Sequence, residues 1–216
     1  EVTQQAFQAR MGRNPSAFPD CGDTCPVENV NWHEALAYAN ALSAEVGLPA
    51  CFDCASSDAA VTCSLKADYA RPQDCPGYRL PTEAEWEMAA RAGSTTAFYP
   101  SEGNGGTLCQ TGCTICPNLD KIAWYCANEN VNTNEVGTRA ENAWGLVDTQ
   151  GNVEEWVWDA YGTYPAGTLA APNVDPITAP TSTVILRGGG WSSSGSACRS
   201  AYRRSETVTN RTNKSG

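Results

Sequence analysis

Apolar and polar positions set out three helices and one strong strand along the chain. Phe7 and Met11 lie four apart behind Thr3, with Gly12 after them. That spacing predicts a short helix capped by the Thr3 hydroxyl and stopped at glycine. Asn31 and Glu34 have the spacing of a capping box ahead of a stripe formed by Leu36, Ala39 and Val46, with Gly47 as the stop. Thr82 and Glu85 repeat the device before Trp86, Ala89 and Ala90, with Gly93 closing that helix. Arg79 and Glu85 are charges beside apolar positions, so each should find a partner. The run 183–187 (TVILR) is β-branched and apolar and predicts a strand. Residues 123–125 (AWY) are read as a short strand or a buried aromatic anchor. The rest has little periodicity. Residues 51–75, 94–126 and 157–180 are all read as loop, an unusual amount for a compact domain.

The cysteines make long loops tolerable. There are 11, far above the usage of reducing compartments. They cluster as Cys21 and Cys25; Cys51, Cys54, Cys63 and Cys75; and Cys109, Cys113, Cys116 and Cys126, leaving Cys198 alone. Each of the three groups has an even number and can close on itself. Pairing within the groups of four stays open. Four thiolates at 109, 113, 116 and 126 also suit zinc, but disulfides are the preferred reading. His33, the sole histidine, falls in a helical pattern and reads as a surface or capping residue.

Length and charge narrow the classes. The 216 residues fit one domain spanning 1–216, and 41% hydrophobic content suffices for one core. A net charge of −10 argues against nucleic acid and anionic membrane surfaces as partners. No apolar run is long enough to span a bilayer. Both ends read as cut, because the chain opens within a motif without Met and stops at 213–216 (NKSG).

The densest chemistry lies in 143–158 (AWGLVDTQGNVEEWVW). Asp148, Gly151, Val153 and Glu155 fall at i, i+3, i+5 and i+7. A turn at Gly151-Asn152 would bring the two carboxylates together with the carbonyls of Gly151 and Val153 between them. An all-oxygen set with two negative charges suits a hard cation such as calcium. The plainer reading is a surface turn with two solvated acids. Glu154 is read as the exposed neighbour.

This stretch, with 1–7 (EVTQQAF), 26–42 (PVENVNWHEALAYANAL), 78–93 (YRLPTEAEWEMAARAG) and 185–205 (ILRGGGWSSSGSACRSAYRRS), resembles the formylglycine-generating enzyme or sulfatase-modifying factor family. The resemblance implies an α+β, irregular C-type-lectin-like fold, rich in loops and stabilised by calcium. It implies the calcium role for Asp148, Gly151, Val153 and Glu155. A second family calcium site would fall on Asn128, Glu129 and Asn130, where the segment is too short. The family's oxidase uses two cysteines five residues apart to bind copper(I). Here the second is Cys198 and the first is Ser193. A hydroxyl does not replace a thiolate on copper(I), so copper is not expected and Cys198 is read as an unpaired thiol. No second histidine is present for a Ser-His-Asp set.

The resulting expectation is a non-catalytic, calcium-stabilised, extracytoplasmic bacterial module that binds a protein, peptide or glycan. The Ser- and Thr-rich C-terminal region resembles that of lectin-fold proteins diversified by retroelements. One alternative is a formylglycine-generating or related periplasmic oxidoreductase using Cys198; another is a subunit of a bacterial surface assembly.

Overall fold

The computed structural model describes residues 1–57, 60–99, 112–128, 131–164, 167, 171 and 173–216. The three predicted helices form. In α1 (Gln4–Met11) the Thr3 hydroxyl accepts from the Ala6 amide at 3.1 Å, and Gly12 closes the helix at φ 72°. In α2 (Trp32–Glu45) both bonds of the Asn31/Glu34 capping box are made, at 2.9 Å each. In α3 (Glu83–Arg91) the Thr82/Glu85 box is also complete. Arg79 takes the same Glu85 carboxylate in a two-point ion pair, so the two charges partner each other. The helix stops one residue before Gly93. Ala92 enters the left-handed region at φ 44°, a conformation that costs a non-glycine residue about 1 kcal/mol.

Two segments expected to be loop are strands. Phe52–Ser57 (β1) and Ala60–Leu65 (β2) pair antiparallel, with Cys54 opposite Cys63. Burial alternates in β2, where Val61, Cys63 and Leu65 turn inward between exposed Ala60, Thr62 and Ser64, but in β1 residues 53–56 are all exposed and only Phe52 is buried, so the period-2 signal is short and confined to one strand. The Cys54–Cys63 disulfide, with Cα atoms 4.1 Å apart, ties the ladder across. Cys51–Cys75 ties its base. Asn40 of α2 finishes the edge: its Oδ1 accepts from the amides of Cys51 and Phe52, and its Nδ2 donates to the Phe52 carbonyl.

The second correction is Glu155–Ala160 (β3), which continues past the point where a loop was expected. Residues 156–160 are buried on both faces, so no period-2 pattern betrays the strand. It pairs with Thr183–Arg187 (β4), which pairs with Arg204–Thr207 (β5), all antiparallel in the order β3-β4-β5. Residues 123–125 form no strand. Ala123 and Tyr125 are buried there as anchors.

The main core lies between α2, the hairpin and this sheet. Trp32, Leu36, Phe52, Trp156, Trp158, Val184 and Leu186 fill it. The Trp158 ring lies 5.4 Å from Trp32 and 5.8 Å from Phe52. The Trp32 and Trp156 indoles donate to the carbonyls of Val157 and Val30, at 3.0 and 2.9 Å. Burying such rings is worth about 2 kcal/mol each, provided the N–H finds a partner.

The first two cysteine groups close on themselves, and the third does so at Cys113 and Cys126. Cys21–Cys25 and Cys113–Cys126 join the two hairpin bonds, and Cys116 is also disulfide-bonded. Cys109 lies outside the described residues. These bonds remove the zinc alternative. His33 is not a free ligand either: its Nδ1 accepts from the Cys63 amide at 3.2 Å, and burial lowers its pKa.

Candidate functional site

The chain turns sharply within 148–155. Asp148, Gly151 and Asn152 adopt φ of 57°, 90° and 61°. Only glycine fits at 151, where a Cβ would stand 2.3 Å from the Trp124 carbonyl oxygen. Asn152 needs no glycine because its side chain holds it: Oδ1 accepts from the Asn134 amide at 2.9 Å, and Nδ2 donates to the Asn134 carbonyl at 3.0 Å. Asp148 is 2% exposed, so the solvated-acid reading does not hold for it. One Asp148 oxygen accepts from the Gly137 amide at 2.6 Å, and one Glu155 oxygen from the Trp86 indole at 2.7 Å.

Four oxygens are left over. Among the described residues, no hydrogen bond goes to Asp148 Oδ1, Glu155 Oε1 or the carbonyls of Gly151 and Val153. These belong to the four residues whose spacing suggested an oxygen cage. The charge pattern agrees. Buried Glu34, Glu83 and Glu154 each pair with an arginine. Asp148 and Glu155 have no lysine or arginine in an ion pair among the described residues. Burial pushes both carboxyls above the usual range. The buried hydroxyls of Tyr99 and Thr149 face the same region. An uncompensated acid pair with unclaimed oxygens fits a hard cation. No group of three or more His, Cys, Asp or Glu side chains has metal-binding geometry among the described residues, so a cation here would depend on the two carbonyls.

One neighbouring expectation changes. Glu154 is 4% exposed, and Arg204 grips it through Nε and Nη2 at 2.8 and 2.6 Å. Glu154 sits just before β3, and its partner Arg204 opens β5 on the far side of β4, a pairing that spacing does not reveal. Asn128 spends its side chain on Tyr125, Asp120 and Ala123; Glu129 and Asn130 lie outside the described residues.

Ser193 and Cys198 follow the Gly188-Gly189-Gly190 end of β4. The Ser193 hydroxyl accepts from the Gly190 amide at 3.0 Å, and its own amide donates to the Gly190 carbonyl at 2.8 Å. Serine here closes a tight turn. Cys198 is unpaired and 0% exposed. Its sulfur packs against Gly189, where a Cβ would lie 2.9 Å from Sγ. Phe98, Leu119, Ile122 and Tyr125 complete the surrounding cluster. Burial, with Glu154 adding to it, pushes the thiol up to about 12.

Among the described residues, cavities open in three places. One of about 460 Å³ is lined by Glu83, Met88, Asp159, Tyr164, Ile177 and Arg203. Arg203 is held by Glu83 at 2.6 and 2.8 Å and by the Gly162 carbonyl at 2.8 Å, with its guanidinium 4.1 Å from the Tyr164 ring centre. Asp159 accepts from the amides of Glu83 and Thr178, both at 2.7 Å, and burial raises its pKa. A second cavity, about 470 Å³, lies among Trp32, His33, Pro72, Trp158 and Pro180. A third, about 380 Å³, is mostly apolar and abuts Glu155. Neither Ser193 nor Cys198 lines any of the three. The Glu83–Asp159–Arg203 constellation was missed in the sequence because its members lie more than 40 positions apart.

The model of the sulfatase-modifying factor enzyme 1-like domain matches residues 1–216. This chain belongs to that family. Among curated relatives, the chaperone protein LppX of Paenibacillus barcinonensis is 31% identical over 94% of this chain and 71% of its own length. The formylglycine-generating enzyme of Thermomonospora curvata is 30% identical over 76% of this chain, and that of Mycobacterium tuberculosis 37% over 52%. The match covers 44% and 40% of those two enzymes, less than half of each. Among solved structures, Treponema denticola variable protein 1 superposes with a TM-score of 0.75 and 32% identity, covering 100% of this chain and 80% of that one. PvdO from Pseudomonas aeruginosa gives 0.62 and 25%, covering 90% and 61%. The expected loop-rich α+β fold of the family is therefore the fold observed. No helix among the described residues is long and apolar enough to cross a membrane.

Proposed function

We propose that this chain is a non-catalytic, calcium-stabilised binding or structural module of the sulfatase-modifying factor family, acting outside the cytoplasm of a bacterium. One observation carries the reading: the family's oxidase pair is reduced to Ser193 and a fully buried, protonated Cys198. A thiol must ionise to bind copper(I) or to attack. Asp148, Gly151, Val153 and Glu155 would hold calcium through the four unclaimed oxygens, and the ion would neutralise an acid pair that otherwise costs stability. The dense disulfides favour an oxidising compartment.

Similarity to LppX, a protein named as a chaperone, supports binding over turnover. We assign the ligand, whether protein, peptide or glycan, to the cavity of about 460 Å³. Polar groups converge there, and Asp159 has the perturbed pKa common at binding sites. Ala201 and Arg203 bring the C-terminal region into its wall.

The oxidase alternative draws on the similarity to formylglycine-generating enzymes. It is tested with a Cys-x-Pro-x-Arg peptide, copper, oxygen and a reductant, with the full-length protein and mass spectrometry as the readout. The module reading expects no formylglycine while an active relative converts the peptide. Conversion would overturn it and assign a second thiol to the site.

A further inference from the structure

The candidate calcium turn has a partner far away in sequence. Its two ligand carbonyls, Gly151 and Val153, belong to alternate peptide units, and the unit between them points its carbonyl elsewhere. Each of the three units is anchored by its N–H. The Asn152 amide donates to the Trp124 carbonyl at 2.8 Å, and the Glu154 amide to the Lys214 carbonyl at 2.6 Å. The middle unit is held from both sides. Its carbonyl, that of Asn152, accepts from the Trp191 amide at 2.6 Å, and its N–H, that of Val153, donates to Glu1 Oε1 at 3.1 Å. A planar trans peptide sets N–H and C=O in opposite directions, so fixing the donors aims the carbonyls. Glu1 Oε2 also accepts from Asn152 Nδ2 at 2.7 Å. Asn152 carries this hold to Asn134, and Gly137 three residues on donates to Asp148.

We propose that Glu1 is the positioning residue of this turn: its carboxylate locks the Asn152–Val153 peptide unit and the Asn152 side chain, and so presents the carbonyls of Gly151 and Val153 and the carboxylate of Asp148 to one cation. The proposal rests on the calcium reading above. Outer partners of this kind typically govern metal affinity by 10- to 100-fold.

The experiment is calcium titration by calorimetry on the full-length protein, its Glu1→Gln variant and an Asp148→Ala control, with melting curves in EDTA for each. Glutamine keeps one acceptor but turns a donor toward Asn152 or Val153. The expected result is wild-type binding, about tenfold or greater weakening in Glu1→Gln, and an EDTA melting temperature of that variant within about 2 °C of wild type. Equal affinities for Glu1→Gln and wild type would overturn the positioning role while leaving the calcium site intact. A lower EDTA melting temperature with unchanged affinity would also overturn it, making Glu1 merely structural. No calcium binding by the wild type would sink the calcium reading and this proposal with it. If Glu1→Gln fails to fold, calcium titration of the wild type followed by amide NMR decides: Val153 and the Asn152 side-chain amide must shift with the ion, and static resonances overturn the role.

Discussion

Native modification of Cys198 puts the non-catalytic reading to a quantitative test. The thiol is 0% exposed, and burial lifts it from an ordinary value near 9.0 to about 12. Three units mean about a thousandfold less thiolate near neutral pH, and the thiolate is the reacting form. A more basic thiolate is a better nucleophile by a factor of about 20 over that range. Ionisation alone therefore leaves the folded thiol about fiftyfold slower than the same thiol in the unfolded chain. Occlusion by Gly189, Phe98 and Tyr125 multiplies that. The assay is reaction with an aromatic disulfide at about pH 8, followed spectroscopically, with peptide mapping to assign the label. The native protein is compared with the same protein in urea without reductant. The expected ratio is at least about fiftyfold in favour of the unfolded chain. A ratio below about five would refute the argument, because it would mean that Cys198 is reachable and ionised in the fold. The oxidase reading would then regain its nucleophile.

Other outcomes follow from the same structure. Arg187→Met should cost about 3–5 kcal/mol in urea unfolding, since the buried guanidinium serves Glu87 and the carbonyls of Tyr202 and Ser200; a loss under 1 kcal/mol would show that those groups find other donors. In EDTA, the raised carboxyls of Asp148 and Glu155 contribute stability that is present at low pH and lost as pH rises through their folded values. The calcium-free melting temperature should therefore fall as pH rises above the ordinary carboxylate range, and saturating calcium should remove the slope; a rise with pH in EDTA contradicts the assignment. Replacing both Cys51 and Cys75 with serine should destabilise by about 3 kcal/mol, against about 2 kcal/mol for Cys21 and Cys25, because the closed loops span 24 and 4 positions. Equal losses would locate the effect in native strain instead.

Local signals in the chain were enough for the helices. Thr3, Asn31 and Thr82 are caps by their own chemistry, and each cap bond involves residues at most three positions apart. The oxygen turn was legible for the same reason: eight consecutive residues hold both acids, both carbonyls and the left-handed glycine between them. The β1–β2 hairpin was not legible. Its one alternation, Val61, Cys63 and Leu65 in β2, is only three positions long, and the disulfides and Asn40 that hold the strands leave no periodic trace. β3 was hidden for the opposite reason, burial of both faces.

The sequence by itself determined the family, the helix caps, the grouping of the cysteines, the spacing of the oxygen turn and the serine that stands in the first cysteine position. Each of these is a matter of residue type and short separation. Tertiary structure alone decided what those groups experience. It buried Cys198 beside Gly189 and pushed its thiol pKa up. It gave Glu154 to Arg204 and left Asp148 and Glu155 without a basic side chain. It brought Glu1 across 152 positions onto the Val153 amide. Desolvation and charge pairing depend on which distant segments pack together, and no local pattern in the chain records that.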